Sequence, residues 1–246
     1  MFTAHLTFKY YSYLCVIYIH FILIMKKFLL IFSLFLAIVF CGSSVNAQNK
    51  THQIRVACVG NSITYGYGIA DREHKSYPAD LGRLLGEGYD VHNFGISART
   101  MLLDGDLPYM KEKIYQEALD FNPNIVIIKL GTNDTKPQNW IHNQHFKKDM
   151  VSMIESFKKL SSKPRIILCS PVTVIKTHWG INDSTVVKGV IPYVKEVAKK
   201  EQVEYLDLHT PTKGKKSEFT DDGVHPNEIG ALHIAKIIYK KIGHGK

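Results

Sequence analysis

Asn124-Ile125-Val126-Ile127-Ile128-Lys129-Leu130-Gly131 is nearly all apolar and mostly β-branched. An unbroken run of this kind, with no polar alternation, marks a strand covered on both faces. Strands covered on both faces belong to parallel sheets flanked by helices. Working outward, Ile54-Arg55-Val56-Ala57-Cys58-Val59-Gly60 is a second such run, ended by glycine. Residues 89–95, 165–170 and 203–208 read as three more strands, the middle one stopped by Pro171. Between the strands, apolar residues recur at helical spacing over 77–85, 109–121, 146–160, 186–200 and 227–242. Pro78 suits a first turn, and Pro192 marks a kink within its helix. Five buried strands separated by helices predict an α/β fold, a parallel sheet with helices on both faces. Residues 172–185 form a long loop without periodicity, and such loops beside strand ends are commonly functional.

The chain has 246 residues, of which 45% are hydrophobic and 22% charged. That balance excludes a disordered chain, a collagen-like fibre and a coiled-coil rod. Four cysteines exclude a disulfide scaffold. Residues 1–47 contain no acidic residue. From Met25 they run through Lys26-Lys27 and an apolar stretch to Val45-Asn46-Ala47. A basic start, an apolar centre and small residues before a cut describe a secretory signal peptide, with cleavage expected after Ala47. Residues 1–24 then form an upstream extension, and 48–246 a single domain. The competing reading is a membrane hairpin, although neither apolar run reaches the roughly 20 residues that span a bilayer. The expected location is secreted or periplasmic, with no stable membrane anchor.

Without residues 1–47 the net charge falls from +9 to +6. No long basic block remains, so a solvated surface is favoured over nucleic-acid binding. Cys58 and Cys169 lie in apolar runs and read as buried free thiols. No cofactor or metal is expected. No His-x-x-x-His pair or cysteine cluster suggests a metal site, and Gly60, Gly66 and Gly68 lack the spacing and lysine of a phosphate loop.

In open α/β sheets, ligands bind beyond the carboxyl ends of the strands. Polar residues collect there. Gly60-Asn61-Ser62-Ile63-Thr64 follows the first strand, Gly95 ends the second, and Gly131-Thr132-Asn133-Asp134 follows the third. Asp222-Gly223-Val224-His225-Pro226 precedes the last helix. A hydroxyl, an amide and an Asp/His pair are the parts for nucleophilic acyl transfer. Each also has a structural reading: Ser62 as a helix cap, Gly95 as a tight turn, Asn133 as a self-bonded loop residue, Asp222 and His225 as a polar turn.

Taken together these blocks resemble the SGNH, or GDSL-type, hydrolases over about residues 54–243. Asn61 stands where Asp is commoner, a neutral replacement beside the nucleophile. The further pattern Lys136-Pro137-Gln138-Asn139-Trp140 and Trp179-Gly180-Ile181-Asn182-Asp183 is similar to the sialate O-acetylesterase-like branch. The resemblance implies a three-layer α/β/α sandwich with strand order 2-1-3-4-5. It implies Ser62 as nucleophile, His225 as general base and acid, and Asp222 as the residue orienting the imidazole. It implies an oxyanion hole made by the Ser62 and Gly95 backbone N–H groups and the Asn133 amide. The expected activity is hydrolysis of short acyl esters, acetyl above all, on a carbohydrate or small-molecule substrate. Trp140 and Trp179 are candidate sugar contacts. A lipase-like or lysophospholipase-like esterase is the enzymatic alternative, and a carbohydrate-binding module without turnover is the other.

Overall fold

The computed structural model describes residues 25–29 and 53–243. Residues 25–29 are helical; the rest of the expected leader, with its cut after Ala47, lies outside the described residues. Residues 53–243 form one compact unit, which carries the fold.

Five strands form one sheet of order β2-β1-β3-β4-β5, all pairs parallel. They are β1 Ile54–Gly60, β2 Tyr89–Gly95, β3 Ile125–Lys129, β4 Arg165–Cys169 and β5 Glu204–Leu206. β3 is central and every one of its residues is buried, as its unbroken apolar run predicts. β5, at one edge of the sheet, is three residues long, shorter than its apolar pattern suggests.

Alternation along the strands sends side chains into two cores. Ala57, Val59, Val126 and Ile128 pack one way, against α3 Lys113–Asp120, α4 Phe146–Lys158 and α5 Ile191–Lys200. Val56, Cys58, Ile125 and Ile127 pack the other way, against α2 Tyr77–Leu85 and α6 Glu228–Gly243. The three-layer α/β/α sandwich with strand order 2-1-3-4-5 is therefore observed. Cys58 and Cys169 are buried free thiols.

Two helices depart from the sequence reading. Residues 109–121 split into a 3-10 turn, Tyr109–Lys111, and α3, because Glu112 between them is extended. Residues 186–200 begin as a π-helical turn, Val186–Val190, before α5. Pro192 lies in the first turn of α5 and cannot donate a backbone bond, so the widened turn stands where a regular ladder would break.

Candidate active site

The carboxyl ends of β1 and β3 and the turn before α6 meet at one edge of the sheet. β1 ends at Gly60, and the chain turns at once into α1 Ser62–Tyr65. Asn61 is the N-cap, its Oδ1 accepting the Ile63 N–H at 3.2 Å. Ser62 is therefore the first helical residue and not the cap, which leaves its hydroxyl free for another partner. A neutral amide at Asn61 suffices to hold this turn.

Ser62 Oγ lies 2.8 Å from His225 Nε2. His225 Nδ1 lies 2.7 Å from Asp222 Oδ2. The other Asp222 oxygen accepts the Val224 and His225 backbone N–H groups at 2.8 and 2.9 Å. The three-residue step between Asp222 and His225 thus closes as a local turn. Burial opposes the Asp222 charge, but the His225 backbone and ring bonds and the Val224 N–H outweigh it and hold its pKa at about 2. Burial lowers the His225 pKa below its ordinary value, against the Asp222 carboxylate, which raises it. The imidazole is therefore neutral, with Nδ1–H donating to Asp222 and Nε2 free to accept the serine proton.

Ser62 and His225 open into a cleft of about 470 Å³. Its walls include Tyr67, Ser97, Ala98, Asn133, Lys136 and Trp179. Asn133 is buried; its Nδ2 donates one bond to the Arg99 carbonyl at 3.1 Å, leaving a second N–H for the cleft.

The structure does not place Gly95 at the cleft. Its N–H donates to Asn93 Oδ1 at 2.9 Å, so it is already engaged. A Cβ there would sit 2.2 Å from the Tyr65 amide nitrogen. Glycine at 95 lets α1 rest against β2, and its assignment as an oxyanion donor is corrected on this geometry. Ala98 lines the cleft instead. Its φ is +68°, left-handed for a residue with a Cβ, a conformation that costs roughly 1–2 kcal/mol. The Ala98 N–H has no acceptor among the described residues. The loop is held by buried Asp134, which accepts the Met101 N–H at 3.1 Å and the Leu102 N–H at 2.8 Å. Burial pushes the Asp134 pKa up to about 6, against those two bonds.

The two tryptophans separate. Trp179 lines the cleft, its ring centroid 5.8 Å from that of His225. Trp140 does not; it packs on Phe146 and Tyr193 and lies flush against Gly189. The candidate sugar contact at Trp140 is therefore corrected to a packing role. Tyr67 was missed by the sequence reading. Its ring centroid lies 4.5 Å from that of His225; the one sequence signal available for it is an aromatic five residues after Ser62. Ala98 left no signal, because nothing in an isolated alanine announces a positive φ.

Comparison with known proteins agrees with the fold and the family. The model of the GDSL-like Lipase/Acylhydrolase family matches residues 58–232. An acetylxylan esterase of Xylanibacter ruminicola is 45% identical over 206 residues, covering 77% of this chain and 43% of that protein. The chain thus spans less than half the length of this curated relative. Among solved structures, a carbohydrate acetylesterase from Sinorhizobium meliloti superposes with a TM-score of 0.64 at 19% identity, over 79% of this chain and all of that one. A lipase/acylhydrolase from Enterococcus faecalis gives 0.63 at 22% identity, over 76% of this chain and 94% of that one. At these identities the two structures speak for the fold.

Proposed function

The chain belongs to the GDSL-like lipase/acylhydrolase family, and on that premise we propose that it is an exported serine esterase that removes acetyl groups from carbohydrate. The observation that carries the catalytic part is the unbroken chain from Ser62 Oγ through His225 to Asp222, at 2.8 and 2.7 Å, facing an open cleft. The acetylxylan esterase supports the substrate class.

Ser62 Oγ attacks the ester carbonyl while His225 Nε2 takes its proton. Asp222 stabilises the imidazolium that forms. The carbonyl oxygen, now negative, accepts hydrogen bonds from the Asn133 amide and the Ser62 and Ala98 N–H groups. Each such donor is typically worth about 3–4 kcal/mol in the transition state. His225 then protonates the departing alcohol oxygen, and the acetyl group stays on Ser62. Water, deprotonated by the same nitrogen, releases acetate in the second half. The basic-apolar-small pattern from Met25 to Ala47 supports export, secreted or periplasmic, with residues 48–246 as the working domain.

Acetate release from acetylated xylo-oligosaccharides, set beside p-nitrophenyl acetate, butyrate and octanoate, tests the reading. A kcat/KM that falls from acetate to octanoate supports it. A rise through octanoate replaces it with a lipid esterase, since each added methylene gains about 0.8 kcal/mol only where apolar burial exists.

A further inference from the structure

We infer that Tyr67 and Trp179 form a leaving-group subsite that binds the pyranose ring whose oxygen carries the acyl group. This rests on the esterase reading above and deepens it. His225 Nε2 is the atom that returns a proton to the departing oxygen, so the departing alcohol leaves beside that imidazole. Two aromatic rings flank it there: Tyr67 with centroids 4.5 Å apart and Trp179 with centroids 5.8 Å apart. Both rings line the cleft, and both are about half exposed, 46% and 53%. Asn133 and Ala98 belong to the oxyanion, hence to the acyl side of the ester.

Single exposed aromatics are ordinary. Here two share one histidine, and Trp179 is held there against its backbone preference. Its φ is +50°, a left-handed conformation that bulky residues avoid. The strain does not place the indole in either main core, where Trp179 has no part. The turn that carries it is fixed by reciprocal bonds between His178 and Ile181, N–H to carbonyl, at 3.2 and 2.8 Å. Asn182 ties the turn to Thr135, its backbone N–H donating to Oγ1 and its Nδ2 to the carbonyl, both at 3.3 Å. The His178 ring packs on the indole at 73°, centroids 3.9 Å apart. A flat apolar face presented this way suits the C–H face of a pyranose. Lys136 and Gln138, in the same cleft, supply polar groups for its hydroxyls.

The test compares kcat/KM for a monoacetylated methyl β-xylopyranoside with that for ethyl acetate, whose acyl group is the same and whose alcohol has no ring. The enzymes are the parent, Tyr67→Ala, Trp179→Ala and the aromatic replacements Tyr67→Phe and Trp179→Phe. Each alanine variant should lose at least tenfold more activity on the pyranoside than on ethyl acetate, and each phenylalanine variant should recover most of the difference. Methyl β-xylopyranoside should also quench parent tryptophan fluorescence on binding, and bind the alanine variants at least fivefold more weakly in a calorimetric titration. Equal losses on both esters with unchanged sugar binding overturn the subsite and leave the esterase reading standing. A parent that hydrolyses neither ester overturns the esterase reading itself.

Discussion

His225 Nε2 lies 2.8 Å from Ser62 Oγ although 163 residues of chain separate them. The contact exists because β1 delivers Ser62 to the sheet edge and the Asp222–His225 turn hangs over the same edge from the start of α6. A serine hydroxyl is a poor nucleophile without such a base. Ser62→Ala should reduce esterase turnover by at least ~10³-fold with an unchanged melting temperature, since nucleophile and base act as a unit. Near-parental turnover in a folded variant removes Ser62 from the mechanism.

The pH profile follows from the environment of His225. Burial depresses its pKa, so the base becomes available at a pH below the ordinary histidine value. Activity should therefore rise with pH along a limb centred below 6.5, while Asp222, at about 2, stays ionised throughout. Asp222→Asn removes the group that raises the His225 pKa. The acid limb should move further down and kcat fall by ~10²–10⁴-fold, from the lost orientation and charge stabilisation. An acid limb that moves up instead contradicts this electrostatic account.

Ala98 and Asn133 make separable predictions. Ala98→Gly relieves a left-handed Cβ and should stabilise the protein, or leave it unchanged, with activity retained, because the donor proposed at this position is a backbone N–H that glycine keeps. Ala98→Val should cost both stability and kcat. Asn133→Ala should lower kcat by ~10²–10³-fold with little change in KM, as expected for a donor to charge that develops only in the transition state. A pure KM effect would make Asn133 a substrate-positioning residue.

Lys129 is a buried amine with no hydrogen-bond partner among the described residues. Burial lowers its pKa from 10.5 to about 7, with the Cys169 thiol acting in the opposite sense. In the unfolded chain the amine keeps its proton up to about pH 10.4. Between about 7 and that value the unfolded state holds the extra proton, so this residue makes stability rise with pH. Lys129→Met should raise the melting temperature by several degrees at pH 7, and the gain should shrink toward pH 10. Thermal unfolding at pH 7, 8.5 and 10 checks the sign; a gain that grows with pH refutes it.

Export is tested on the full chain. Expressed in a Gram-negative host, it should be recovered outside the cytoplasm with Gln48 as its first residue, read by intact mass. An uncut chain in the membrane fraction supports the hairpin reading of residues 1–47.

Much of this protein is legible along the chain because the relevant forces are local or periodic. The run 124–131 declares a strand covered on both faces, and the recurrence of Met150, Ile154 and Phe157 declares the buried face of α4, since burial leaves a period in the sequence. The Asp222–His225 pair is equally legible, because three residues of turn suffice to close it. What only the tertiary structure decided depends on atoms that meet across elements. Gly95 and Ala98 lie three residues apart, yet the first is engaged by Asn93 and the second faces the cleft, because Asp134 on another loop sets the path of residues 98–102. Trp140 and Trp179 look alike in sequence; Gly189 leaves room for one against α5, and the turn 178–181 carries the other to His225. Lys129 sits in an apolar run without declaring whether its amine escapes to water. The packed sheet decides that: Lys129 pairs with Gly60 in the register and its amine is fully buried. Side-chain periodicity records which residues are removed from water, whereas loop paths and the partners of buried polar atoms are settled only when distant segments pack.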